Sequence, residues 1–108
     1  MPIEKTFTID SRHPSLPGHF PGNPIVPGVV ILEGVLAQIG QSLNEPLVLS
    51  HVPSVKFHSP LRPDELLRLT FDILPGHSVS FSCQVDSRLI VSGQFIFQPD
   101  FHISPSPL

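Results

Sequence analysis

The stretch His19-Phe20-Pro21-Gly22-Asn23-Pro24-Ile25-Val26-Pro27-Gly28, continued directly by Val29-Val30-Ile31-Leu32-Glu33-Gly34-Val35-Leu36-Ala37-Gln38, decides how the chain is read. Pro21, Pro24 and Pro27 stiffen a loop in which Gly22 and Gly28 permit tight turns and close backbone approach. The loop begins with a histidine and feeds an apolar helix that carries one carboxylate, Glu33. Pro27 suits a first helical turn, because its missing N–H would be unbonded there in any case. Asn44 and Pro46 stop the helix after Leu43. The first half of this helix is apolar nearly all round, so the rest of the chain is expected to wrap it.

The flanking sequence supplies the wrapping. Lys5-Thr6-Phe7-Thr8-Ile9 alternates as a short strand, and Asp10 to Pro17 carries loop residues. Ser54-Val55-Lys56-Phe57-His58 is a second candidate strand. Leu66 to Leu74 sets Leu67, Leu69, Phe71 and Ile73 against Arg68, Thr70 and Asp72. A Pro75-Gly76-His77 turn leads to Val79, Phe81, Cys83 and Val85 alternating with Ser80, Ser82 and Gln84, and Asp86-Ser87 turns again into Leu89 to Phe97. Period-two patterns joined by short turns specify antiparallel hairpins with one buried face, the other being rich in Ser and Gln. The expected fold is α+β, one antiparallel sheet curled around one long central helix. It forms a single domain over residues 1–98, followed by a proline-rich tail at 99–108.

Composition narrows the function. A chain of 108 residues buries roughly 60–70% of its unfolded surface, enough for one core and modest enough for oligomerisation to help. A formal charge of −3 with six Lys and Arg argues against a nucleic-acid binder. The single cysteine, Cys83, excludes an internal disulfide framework or a cysteine zinc site and suits a reducing compartment. The start shows no signal-peptide pattern, and no apolar run approaches the ~20 residues of a membrane span. A cytoplasmic protein is expected, with no membrane partner, metal or cofactor. His13, His51, His58, His77 and His102 show no metal-ligand spacing, and phosphate-loop and serine-elbow motifs are absent.

Three elements could carry chemistry. On a helix the same-face neighbours of Glu33 are Val29, Val30, Leu36 and Ala37. An unpaired carboxylate in such company is expected to be desolvated and kept protonated, as a general acid requires. The alternatives are a glutamate that reaches the helix end or pairs with a lysine at a subunit contact. His19 offers an imidazole that titrates near neutrality, held by a loop whose rigidity suits positioned catalysis, although single loop histidines are commonly solvated. The N–H groups of Gly28 and Val29 lack a side-chain cap. They could polarise a carbonyl oxygen, or simply bond water or loop backbone.

The stretch from Gly18 through Glu33 closely resembles the motif of the β-hydroxyacyl-acyl carrier protein dehydratases of hotdog fold, in the branch with Glu as the helix acid. Val55-Lys56-Phe57-His58-Ser59-Pro60-Leu61-Arg62-Pro63-Asp64 is more weakly similar to the strand and turn that follow the helix there. Together the two cover about a third of the chain. The resemblance implies a hotdog fold and dehydration of a (3R)-hydroxyacyl thioester of acyl carrier protein to the trans-2-enoyl thioester, in fatty-acid or related acyl-chain synthesis. It implies that His19 removes the C2 proton, that Glu33 protonates the departing hydroxyl, and that the Gly28 amide holds the thioester oxygen. It further implies a homodimer, or an oligomer of dimers, in which His19 of one chain works with Glu33 of the other.

The chain departs from the family pattern in three respects. The usual N-terminal helix and first strand are missing. The glutamine commonly found four positions after the acid is replaced by Ala37, with Gln38 one place later and about 100° away around the helix. Positive charge for docking an acidic carrier protein is thin, with Lys56, Arg62 and Arg68 as candidates and ordinary solvated surface as the alternative. Two further functions compete: a hotdog acyl-thioesterase in which Glu33 activates water, and a non-catalytic acyl-binding subunit that pairs with a catalytic homologue.

Overall fold

A computed structural model describes residues 2–12, 25–44 and 47–98. The described elements are β1 (Ile3–Phe7), α1 (Gly28–Leu43), β2 (Leu49–Phe57), β3 (Leu67–Leu74), β4 (Ser78–Val85) and β5 (Arg88–Phe97). The five strands form one antiparallel sheet in the order β1-β3-β4-β5-β2. This is the α+β hotdog arrangement expected above. The proline-rich tail proposed for 99–108 lies outside the described residues.

Register explains the two faces. Leu69 pairs with Cys83 and Phe71 with Phe81; Cys83 in turn pairs with Val91, and Val79 with Phe95. All of these side chains are buried, and they join Val30, Ile31, Val35 and Ile39 of α1 in one core. Phe81 and Phe95 stack with ring centroids 4.6 Å apart, an offset aromatic pair on diagonal sheet positions. The alternate residues Thr70, Ser80, Ser82, Ser92 and Gln94 form the outer, polar face, as period two requires. Burial pushes the Cys83 thiol up to about 12, so it serves as a small apolar group in the core.

The hairpins close through left-handed residues. Gly76 (φ 81°) and His77 (φ 57°) turn β3 into β4, and Asp86 (φ 54°) turns β4 into β5. Asn44 (φ 54°) ends α1 at the position anticipated.

Two strand expectations are corrected. β1 spans Ile3–Phe7 rather than Lys5–Ile9, because the Ile9 carbonyl accepts the Asp64 N–H (2.8 Å) instead of joining the ladder. β2 begins at Leu49, not Ser54, and runs through Pro53. The missing Pro53 N–H is tolerated because β2 is an edge strand whose register slips between Leu49 and Ser54.

The helix correction matters more. The sheet covers only part of α1: Val29 is 63% exposed, and Glu33, Ala37 and Gln41 are exposed along the same stripe. One five-stranded layer reaches a single side of a cylinder, so an apolar helix in one chain retains an uncovered face.

Candidate active site

The site is built at the N-terminus of α1. Pro27 is the cap residue, with no side-chain hydrogen bond to the helix start, and its carbonyl accepts the N–H groups of Val30 (3.0 Å) and Ile31 (3.3 Å). The Gly28 and Val29 amides therefore lie in the first turn, where N–H groups have no intrahelical acceptor. Val26 N–H donates to the Leu61 carbonyl (2.8 Å), tying the entry of the helix to the segment after β2. That segment is pinned in turn, since His58 N–H donates to the Ile90 carbonyl (2.8 Å).

An open pocket of about 420 Å³ lies between these elements, lined by Val26, Gly28, Ile31, Phe57 and residues 58–61. Gly28 is needed for this approach: a Cβ there would stand 2.7 Å from Cζ of Phe57. Phe57, on the core-facing side of β2, is half exposed and forms the pocket rim. His58 turns to the outer face, where its Nε2 is hydrogen-bonded to Ser92 Oγ (3.0 Å). The pocket thus combines an apolar lining with first-turn amides, a combination suited to an acyl group ending in a carbonyl.

Glu33 is on another face. Five residues after Gly28, it lies about 140° around the helix and about 7.5 Å along it. Its side chain belongs to the exposed stripe with Val29 and Ala37. The desolvated acid expected from the sequence is therefore not realised within one chain, because the uncovered side of α1 carries it. Gln38 lies about 140° further round from Glu33, so it does not steady the carboxylate.

His19, Pro21 and Gly22 lie outside the described residues. Both flanks of their segment are anchored, however. Ser11 N–H donates to Asp64 Oδ1 (3.1 Å) and Asp64 N–H to the Ile9 carbonyl, while Val26 is bonded to Leu61. Leu61 and Asp64 are three residues apart, a span of at most ~11 Å.

The docking candidates do not form one patch. Lys56 on β2 and Arg68 on β3 share the outer sheet face but stand three strand spacings apart, roughly 14 Å. Arg68 is engaged by Glu4 (3.5 Å) and Gln84 Oε1 (2.8 Å). Arg62 is exposed beside Glu65, whose carboxylate accepts the Arg62 backbone N–H (2.8 Å) and Arg88 Nη2 (2.8 Å). Sequence reasoning missed Ile31, Phe57 and Leu61 as pocket residues. The apolar type of each pointed only to burial, and the Val26–Leu61 contact crosses a long stretch of chain. Among the described residues, no group of three or more His, Cys, Asp or Glu side chains is placed to hold a metal ion, and no helix is long and apolar enough to cross a membrane.

Comparison with known proteins adds family relationships. The family model for ApeI-like proteins, described as ApeI dehydratase, matches residues 2–94. The chain is 40% identical over 105 residues to a 3-hydroxyacyl-(acyl-carrier-protein) dehydratase FabZ of Thermomicrobium roseum, covering 86% of this chain and 68% of that protein. It is 35% identical over 87 residues to the FabZ of Caulobacter vibrioides, covering 71% of this chain and 53% of that one. The chain thus spans about half the length of the first curated relatives it matches. Among solved structures, the dehydratase heterocomplex ApeI:P from Xenorhabdus doucetiae superimposes with a TM-score of 0.76 at 25% identity, covering 89% of this chain and 86% of that one.

Proposed function

Because the chain belongs to the ApeI-like dehydratase family, we propose that it removes water from a (3R)-hydroxyacyl thioester of acyl carrier protein, at a site shared between two protomers. The product is the trans-2-enoyl thioester, within fatty-acid or related acyl-chain synthesis. The FabZ names of its relatives support the substrate class.

In this reaction the Gly28 amide donates to the thioester oxygen and stabilises the negative charge that develops there. The His19 imidazole takes the C2 proton, and Glu33 of the other protomer donates a proton as the C3–O bond breaks. Water leaves, His19 ends as imidazolium and Glu33 as carboxylate, and proton return resets both. Covering the exposed stripe of α1 with a second protomer would also shield Glu33 from bulk water. Lys56 and Arg62 remain candidates for carrier-protein contact.

The single observation that carries this reading is the placement of Glu33 on a face of α1 turned away from the pocket at Gly28. One chain presents two half-sites facing different ways, and only a second protomer completes either. Val26, which follows the stretch that carries His19, lines the pocket and is bonded to Leu61, which supports His19 as the base. The test is turnover of a 3-hydroxyacyl thioester followed by both product and thiol. Appearance of 2-enoyl product that falls at least ~100-fold in His19→Ala and in Glu33→Gln supports the dehydratase. Free thiol without enoyl product would instead establish a thioesterase.

A second reading takes the other protomer to be a different hotdog chain, and the ApeI:P heterocomplex favours it. Under that reading the purified chain alone does not dehydrate, and His19→Ala binds acyl carrier protein as the wild type does.

A further inference from the structure

Arg62-Pro63-Asp64-Glu65 forms a β-turn closed by the Glu65 N–H, which donates to the Arg62 carbonyl (3.4 Å). Pro63 cannot take a positive φ, so the turn is of type II, whose third residue needs one and is usually glycine. Asp64 holds that place at φ 69°. Aspartate enters the left-handed region more readily than most side chains, but glycine enters it without any crowding at Cβ. The backbone alone therefore does not demand an aspartate. What the carboxylate adds is a bond: its Oδ1 accepts the Ser11 N–H (3.1 Å), while the Asp64 N–H donates to the Ile9 carbonyl (2.8 Å). Asp64 is exposed, so a bond that competes with water there contributes little stability. Backbone strain accepted without a return in stability marks a place where geometry matters.

From that turn a short path leads to the helix entry. Leu61, buried, gives its carbonyl to the Val26 N–H (2.8 Å), and Gly28 stands two residues after Val26. On its other side the segment is held by β5: the Ile90 carbonyl accepts the His58 N–H (2.8 Å), and Arg88 Nη2 donates to Glu65 (2.8 Å). The geometry points to Asp64 as a positioning residue for the dehydratase site proposed above. It fixes residues 61–64 against the chain that follows β1, and through the Leu61–Val26 bond it sets where the Gly28 amide stands. The inference rests on the role given to that amide, and Asp64 acts through the backbone rather than on the substrate. Without its carboxylate the turn loses its side-chain tie to Ser11, and the freedom gained at Leu61 passes to the helix entry.

The experiment compares Asp64→Gly, which suits the turn and lacks the carboxylate, with Asp64→Asn, whose side-chain oxygen keeps the bond to Ser11 and whose backbone tolerates the same φ. Turnover of a 3-hydroxyacyl thioester, hydrogen exchange at the Val26 amide and thermal unfolding are measured on each. Asp64→Gly should melt within about 4 °C of the wild type, since relieved strain offsets the lost bond. Its Val26 amide should exchange about tenfold faster. Its kcat should fall about tenfold with KM within about twofold, because a misplaced donor weakens the transition state more than the ground state. Asp64→Asn should stay within about twofold of the wild type in kcat and in exchange. Wild-type exchange at Val26 in Asp64→Gly, an unchanged kcat there, or a loss that Asp64→Asn does not rescue would overturn the assignment. A wild type that dehydrates no thioester refutes the reaction instead, and exchange at Val26 then decides whether Asp64 holds the helix entry.

Discussion

Replacing Gly28 by Ala separates packing from chemistry at the helix entry. The new Cβ would lie 2.7, 3.0 and 3.2 Å from three carbons of the Phe57 ring. Carbon pairs rest at about 3.5–4.0 Å, so ring and helix must part by close to 1 Å. Phe57 is 49% exposed and ends an edge strand, so it can yield, placing the stability cost at the low end of overpacking, about 1 kcal/mol. For a domain of this size that lowers the melting temperature by about 4–8 °C. The consequence for activity is larger, because an amide displaced by ~1 Å from the developing oxyanion loses about 100-fold in rate. The assay is kcat/KM for a 3-hydroxyacyl thioester alongside thermal unfolding, on Gly28→Ala, Phe57→Ala and the double variant. Phe57→Ala removes the clashing ring, so the double variant should recover activity relative to Gly28→Ala. Gly34→Ala, whose Cβ would meet Phe7 Cε2 at 2.6 Å, should cost comparable stability without touching the Gly28–Phe57 contact. A Gly28→Ala enzyme within about twofold of wild-type kcat/KM, or a double variant no better than Gly28→Ala, refutes the role given to this amide.

Two further outcomes follow from the same structure. Mixing His19→Ala and Glu33→Ala proteins in equal amounts, with exchange of protomers, should restore about 25% of wild-type activity. Half of the dimers are then mixed, and each mixed dimer carries one intact site; no recovery despite demonstrated heterodimers would place the whole site within one chain. Glu65 is held below the usual carboxylate range first by the Arg62 backbone N–H and then by Arg88. Its folded value lies below its unfolded one, so its contribution is present at neutral pH and is lost as pH falls through the folded value. Glu65→Gln should lower neutral-pH stability by about 1 kcal/mol and flatten the acid limb of the urea midpoint, whereas curves parallel to wild type would refute it.

Local pattern carried most of the fold and part of the site. Alternation along Leu67–Leu74 and Ser78–Val85 dictates which side chains face the core, because strand side chains point to opposite faces in turn. Asn44, Gly76, His77 and Asp86 adopt left-handed backbone where the turns were expected, since these residues tolerate it or the turns demand it. The edge position of β2 was not legible: its strand runs through Pro53, and only the sheet order, which leaves one side of β2 unpaired, makes that tolerable. Nor was Phe57 legible as a pocket wall, because its partner Gly28 has no side chain to announce the contact.

By itself the sequence determined a helix with one acid and a sheet built of hairpins. It did so because turn chemistry and periodicity act between residues only a few positions apart. Tertiary structure alone decided which face of the helix the sheet covers. That face holds Val30, Ile31, Val35 and Ile39 against the core, and it leaves Val29, Glu33 and Ala37 outside. An apolar run reports that burial is required but not what provides it. In this chain the sheet shields one side, and the carboxylate stands exposed on the other.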